Sequence, residues 1–172
     1  MGDDVIEAYP DTAEPWELAL KRQLPLLGHR NWIVVADSAY PAQSNPGIET
    51  IATEADHLLV LRATLDAIDS SRHVRAHVYL DAEFKLVDEQ DGAGVTTHRQ
   101  KLANLLGNRE TQVLMHDQII AKLDESAKVF RILILKSSLT IPYTSVFFEL
   151  DCGYWSPEAE HRLRSAVAKR NS

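Results

Sequence analysis

Trp32-Ile33-Val34-Val35-Ala36 carries no charged or hydrogen-bonding aliphatic position, and this run constrains the fold more than any other feature of the chain. A strand with one wet face alternates apolar with polar residues, whereas an unbroken β-branched run belongs to a strand buried on both faces. Such a strand needs helices above and below its sheet. The stretches Val129 to Leu135 and Val146 to Leu150 repeat the pattern, and Ile48 to Ala52, Val74 to Leu80 and Gln112 to Met115 read as shorter strands. Between them lie helical segments. Leu18, Leu20, Leu24 and Leu27 follow Asp11 and Thr12 at roughly helical spacing until Pro25 ends or kinks the run. Thr53, with Asp56 as an imperfect capping-box partner, precedes the stripe Leu58, Leu61, Leu65 and Ile68, which should end near Ser70. Further helices are expected from about Thr97 to Leu106 and from His116-Asp117-Gln118 onward. Ser156-Pro157-Glu158 is a strong start for an extra C-terminal helix reaching Lys169. Strands alternating with helices predict an α/β protein: three layers, with a largely parallel central sheet flanked by helices.

Length and charge narrow the function classes. The 172 residues suit a single domain spanning 1–172, and a net charge of −7 argues against a nucleic-acid partner, whose phosphates demand clustered Lys and Arg. Lone Cys152 allows neither an internal disulfide nor a cysteine-based zinc cluster. No apolar run approaches the ~20 residues of a membrane span, so no membrane partner is expected. The acidic opening Met1-Gly2-Asp3-Asp4-Val5 is not a signal peptide, and Ile6 breaks the myristoylation pattern. A cytoplasmic protein is the expectation, with export behind a removed signal left open. Asp91-Gly92-Ala93-Gly94 reads as a turn; it lacks the strand and glycine spacing of a dinucleotide site.

In layered α/β sheets ligands collect at the carboxyl ends of strands, and Asp37, His116 and the Pro142-Tyr143 turn all lie near predicted strand ends. Leu27-Gly28-His29-Arg30-Asn31, the apolar strand after it, and Asp37-Ser38-Ala39-Tyr40-Pro41 together resemble the opening motif of the D-ribose pyranase and L-fucose mutarotase family (RbsD/FucU). Pro142-Tyr143-Thr144-Ser145-Val146 is similar to that family's closing Pro-Tyr-Ala-Asn motif. His116-Asp117-Gln118 is similar to its His-Glu-Gln-Phe segment. The likeness covers about Leu24 to Leu150. It implies a core of about 14–150, with 151–172 as a C-terminal extension and Asp88 to Arg99 as an insertion.

The resemblance also implies roles. His29 would be the proton donor, Asp37 a ligand for sugar hydroxyls, His116 a second polar contact and Tyr143 part of the substrate-binding turn. Ser145 stands where the family carries Asn, replacing an amide by a shorter hydroxyl. Family members assemble into rings, often paired into decamers, with pockets near subunit contacts. A homo-oligomer binding a monosaccharide, without metal or cofactor, is therefore implied.

The residue types suit that chemistry. Opening a sugar hemiacetal takes a proton from the anomeric hydroxyl and delivers one to the ring oxygen, with no change of oxidation state. Histidine keeps both protonation states accessible near neutrality, and Tyr143 or Trp32 offers an apolar face to a sugar ring. Structural readings compete at each position. His29 can simply end a helix, Asp37 can cap a turn, His116 can cap its own helix, and Tyr143 can be a packed turn aromatic. His57, His73, His77, His98 and His161 read as surface or core-edge residues. His29, Asp37 and His116 form a conceivable metal-ligand set, although no paired-histidine helix motif supports it. Cys152 reads as a small apolar residue rather than a nucleophile. Two functions follow: an isomerase interconverting anomeric or pyranose and furanose forms of a free sugar, or a non-catalytic sugar-binding or assembly protein of the same fold.

Overall fold

The computed structural model describes residues 14–170; the Asp11-Thr12 lead into the first helix lies outside them. The chain runs α1 (Trp16–Gln23), β1 (Trp32–Ala36), β2 (Ile48–Ala52), α2 (His57–Asp69), β3 (Val74–Asp81), α3 (Val95–Leu106), β4 (Thr111–Leu114), α4 (His116–Ala127), β5 (Ile132–Lys136), β6 (Val146–Cys152) and α5 (Pro157–Arg170). One turn of 3₁₀ helix, Leu24–Leu26, follows α1 at Pro25, where the missing N–H ends the α-helical ladder.

All six strands join one sheet in the order β2-β5-β1-β6-β3-β4. β1 and β2 each run parallel to β5, and β3 runs parallel to β4. β6 runs against both its neighbours, β1 and β3, so the other strands share one direction. Helices cover both faces, which is why the central strands tolerate no polar alternation. On one face Ile33, Val35, Leu133, Leu135, Phe148 and Leu150 pack under α1, α2 and α3. On the other, Trp32, Val34, Ile134 and Phe147 meet Ile119 and Leu123 of α4, with Tyr40. The three-layer, largely parallel α/β architecture expected from the sequence is the one observed.

Several boundaries differ from expectation for local reasons. Asp56, not Thr53, caps α2: its carboxylate accepts from the N–H groups of Leu58 and Leu59, while the Thr53 hydroxyl donates to the Lys136 carbonyl. β5 starts at Ile132, because Val129 lies in the turn after α4 and is 78% exposed. β3 gains Asp81 and β6 continues to Cys152. The extra helix α5 is present, and none of its residues is buried. Among the described residues no helix is long and apolar enough to cross a membrane.

Candidate functional site at the carboxyl rim of the sheet

Asp37 follows the last residue of β1. Because β6 is antiparallel and Val35 pairs with Val146, the start of β6 lies beside this end of β1. Ser145 therefore meets Asp37 across 108 residues of sequence. Its Oγ donates to Asp37 Oδ1 at 2.9 Å and accepts from the Asp37 N–H at 3.2 Å. The Ala39 N–H reaches Oδ2 at 3.3 Å, so each oxygen of this carboxylate accepts one hydrogen bond. Ser145 itself is 2% exposed. One residue earlier, Thr144 closes the turn by donating its hydroxyl to the Ile141 carbonyl at 2.7 Å. Tyr143 has φ +58, a left-handed conformation that costs energy for a bulky side chain, and it leaves the ring partly exposed at the rim.

β3 ends on the same rim. Leu80 pairs with Val146 and Asp81 pairs with Leu114, which sets Asp81 between the start of β6 and the start of α4. His116 is the first residue of α4, and its Nδ1 lies 3.0 Å from Asp81 Oδ1. Its backbone N–H donates to both carboxylate oxygens of Glu83, an anion at a helix N-terminus. The His116 ring meets Tyr143 edge-on, centroids 5.6 Å apart. Asp81 has no exposed side-chain surface, and among the described residues its Oδ2 has no hydrogen-bond partner. Burial pushes its pKa up to about 6; His116 opposes that shift, while Glu83 and Asp37 add to it. Tyr40 is buried beside these groups, and burial, then Asp124, Asp81 and Asp37, raises its hydroxyl pKa.

His29 lies at the other end of β1, separated from Asp37 by a strand of five residues, roughly 17 Å at about 3.3 Å per residue. The Gly28 to Asn31 turn that carries it is tied down by Gly28 N–H to Asn31 Oδ1 at 2.7 Å and Arg30 N–H to the Leu150 carbonyl at 2.9 Å. His29 Nδ1 lies 2.9 Å from Asp151 Oδ1 and its side chain is 60% exposed. Asp151 Oδ2 accepts from Arg75 Nε and Nη2 at 3.1 and 2.7 Å and faces His77 Nε2 at 3.4 Å. Partial burial would raise the Asp151 pKa, but Arg75, the Cys152 N–H and His77 together hold it down to about 2. Trp32 also belongs to this end, 2% exposed and packed against Tyr79 with the rings tilted by 34°.

Within one chain, then, Asp37, His116, Tyr143 and Ser145 come together and His29 does not. The conceivable ligand set of His29, Asp37 and His116 is likewise split. Among the described residues no group of three or more His, Cys, Asp or Glu side chains is placed to hold a metal. Two grooves flank the His29 end. One of about 570 Å³ passes Arg72, Arg75, His77 and Arg109, and one of about 550 Å³ passes Arg30, Trp32, Lys122 and Glu149. The carboxyl rim holds the convergent chemistry instead, and convergence of function-bearing groups locates a site better than volume does.

Asp81, Glu83 and Asp151 do not stand out in the sequence reading, yet signals for two of them exist. Asp81 ends an apolar strand as Asp37 does, and Asp151 continues the alternation Phe147, Glu149, Asp151 along β6. His57 and His98 correct an expectation: they are core residues, 1% and 7% exposed, with ring centroids 5.5 Å apart. His57 Nδ1 contacts Ser137 Oγ at 2.8 Å, and burial lowers its pKa to about 4.

No protein-family model matches the chain, and no curated protein matches it. Solved structures do. Bacillus subtilis RbsD complexed with D-ribose superposes with a TM-score of 0.52 at 22% identity, over 77% of this chain and 91% of that one. The fucose mutarotase of Streptococcus pneumoniae in complex with L-fucose gives 0.49 at 16% identity, over 85% of this chain and 98% of that one. The first of these establishes a shared fold.

Proposed function

We propose that this protein is a divergent relative of the ribose pyranases and fucose mutarotases, and that it interconverts ring or anomeric forms of a free monosaccharide. The observation that carries the reading is the meeting of Asp37, His116, Tyr143 and Ser145 at the carboxyl rim of a sheet whose fold is shared with a protein solved with D-ribose. Asp37, fixed by Ser145 and the Ala39 N–H, accepts sugar hydroxyls, and the exposed Tyr143 ring covers an apolar patch of the sugar. His116 exchanges a proton with the anomeric hydroxyl. The ring C–O bond breaks as the ring oxygen gains a proton, and closure on either face of the free carbonyl returns both protons.

His29 enters from a second copy of the chain. Its own Asp37 is a strand's length away, it is exposed, and a groove lined by the adjacent Arg30 leaves room for a neighbour's rim. The functional unit on this reading is a homo-oligomer whose sites lie between copies.

Saturation-transfer NMR on ribose, fucose and related sugars tests the proposal. Anomer exchange should exceed the buffer rate, and His116→Ala or His29→Ala should each lower it by ~10²-fold or more. Mixing the two inactive variants under conditions that reassemble oligomers should restore part of the activity, because some sites then combine both intact histidines. Full activity in both single variants would end the reading. A second reading, sugar binding without turnover, is favoured by one observation: the Ser145 hydroxyl, already bonded to Asp37, offers a ligand less than an amide would. Calorimetric binding without enhanced exchange selects it.

A further inference from the structure

We infer that Asp81 is a positioning residue for His116: its buried carboxylate keeps the imidazole proton on Nδ1 and so leaves Nε2 free to accept the anomeric proton. The inference rests on the sugar-isomerase reading for its catalytic half and on geometry alone for its tautomer half.

Asp81 is anchored in the last position of β3, between two paired neighbours, and cannot swing away as a surface carboxylate can. Its Oδ1 is 3.0 Å from His116 Nδ1. Two lone pairs do not face each other at that distance, so a proton lies between them, and in a neutral ring it occupies Nδ1. Which nitrogen of a histidine is protonated is set by the partner of the other one. The His116 backbone N–H donates to Glu83 and its ring meets Tyr143 edge-on, and in this placement Nδ1 is the nitrogen turned to Asp81.

The groups that face Asp81 show that it is not placed for stability. His116 comes from α4, Glu83 from the turn after β3, Asp37 from the end of β1 and Tyr40 from the following loop. Two of these are carboxylates, and Oδ2 has no hydrogen-bond partner among the described residues. An isolated carboxylate in such a place destabilises the fold when ionised, whereas a group that must carry negative charge behind a histidine acquires its use there. When Nε2 takes the anomeric proton, the ring becomes a cation directly against Asp81. The His29 of a second copy supplies the proton that the ring oxygen gains, so the two transfers balance.

Histidine-selective ¹⁵N NMR on the wild-type protein reads the tautomer directly. The expected result is His116 protonated at Nδ1; protonation at Nε2 would overturn the inference, and this measurement needs no variant to fold. In Asp81→Asn, which can donate as well as accept, we expect Nε2–H to appear. The rate of anomer exchange should fall at least about tenfold with KM within about twofold, while the melting temperature at pH 8 stays equal or rises. Asp81→Glu, which keeps the charge, should recover part of the rate. Unchanged tautomer and unchanged rate in Asp81→Asn would refute the role. Absence of exchange in the wild type would instead refute the isomerase reading, with the tautomer still deciding the placement of Asp81.

Discussion

Two histidine–aspartate pairs, His116 with Asp81 and His29 with Asp151, lie at opposite rims of one sheet and differ in almost everything except distance. His116 and Asp81 are 3.0 Å apart; His29 and Asp151 are 2.9 Å apart. Asp81 has no exposed side-chain surface and is surrounded by Glu83 and Asp37, so its pKa rises to about 6. Asp151 shares its second oxygen with Arg75 and its first with the Cys152 N–H, and its pKa falls to about 2. Separation sets the contact, but the neighbours set the charge. A carboxylate already neutralised by a guanidinium has little left to impose on an imidazole; a carboxylate with no other cation has all of it.

That contrast can be broken experimentally. The largest effect belongs to His116→Ala, which strands Asp81 in the interior. Removing one partner of a fully buried pair costs about 3–5 kcal/mol; with the His116 ring a third exposed, denaturant melts at pH 8 should show a smaller loss, about 1–3 kcal/mol, that shrinks as pH falls toward 6, because without His116 Asp81 takes up its proton at a higher pH. Asp81→Asn comes next, with the opposite sign. A raised carboxyl pKa means stability is greatest where the acid is protonated and declines as pH rises from about 4 to about 6, so Asn should recover up to about 2 kcal/mol above pH 6 and nothing below pH 4. His57 pulls the other way over the same range. Its pKa is lowered to about 4, so its contribution is complete above its unfolded value and is lost as pH falls toward 4. The Asp81 effect is therefore measured as variant minus wild type across pH.

Asp151→Ala should show the smallest change, under about 1 kcal/mol, because the partners Arg75, His29 and His77 are all substantially exposed. Its sign is the reverse of Asp81. A depressed pKa gives stability that is present above about 4 and lost as pH falls toward 2, so the variant should differ from wild type at neutral pH and converge with it in acid. Equal losses from Asp151→Ala and His116→Ala would erase the distinction between the two rims.

Much of this was written in the chain. Three apolar runs specified the central strands, and the strand-end rule that selects Asp37 applies equally to Asp81. What sequence could not supply was strand order. Asp81 matters because β3 lies between β6 and β4, a consequence of pairings between residues up to 78 positions apart, such as Val74 with Cys152. The separation of His29 from Asp37, by contrast, follows from sequence alone, since a five-residue extended strand between them must carry them to opposite ends. The burial of His57 and His98 depends on α2 packing near α3, for which neither helix carries a local signal.

The opposed positions of His29 and Asp37 also limit how copies can associate. A contact that brings one copy's imidazole to another's carboxylate forms in two ways: reciprocally, about a two-fold axis that runs the two sheets in opposite directions, or head to tail, with a different patch used on each copy. In the head-to-tail arrangement every terminal copy keeps an unmatched patch until the series closes on itself. An open filament would thus have incomplete members at its tips, and turnover per chain would climb with its length until closure made every member equivalent.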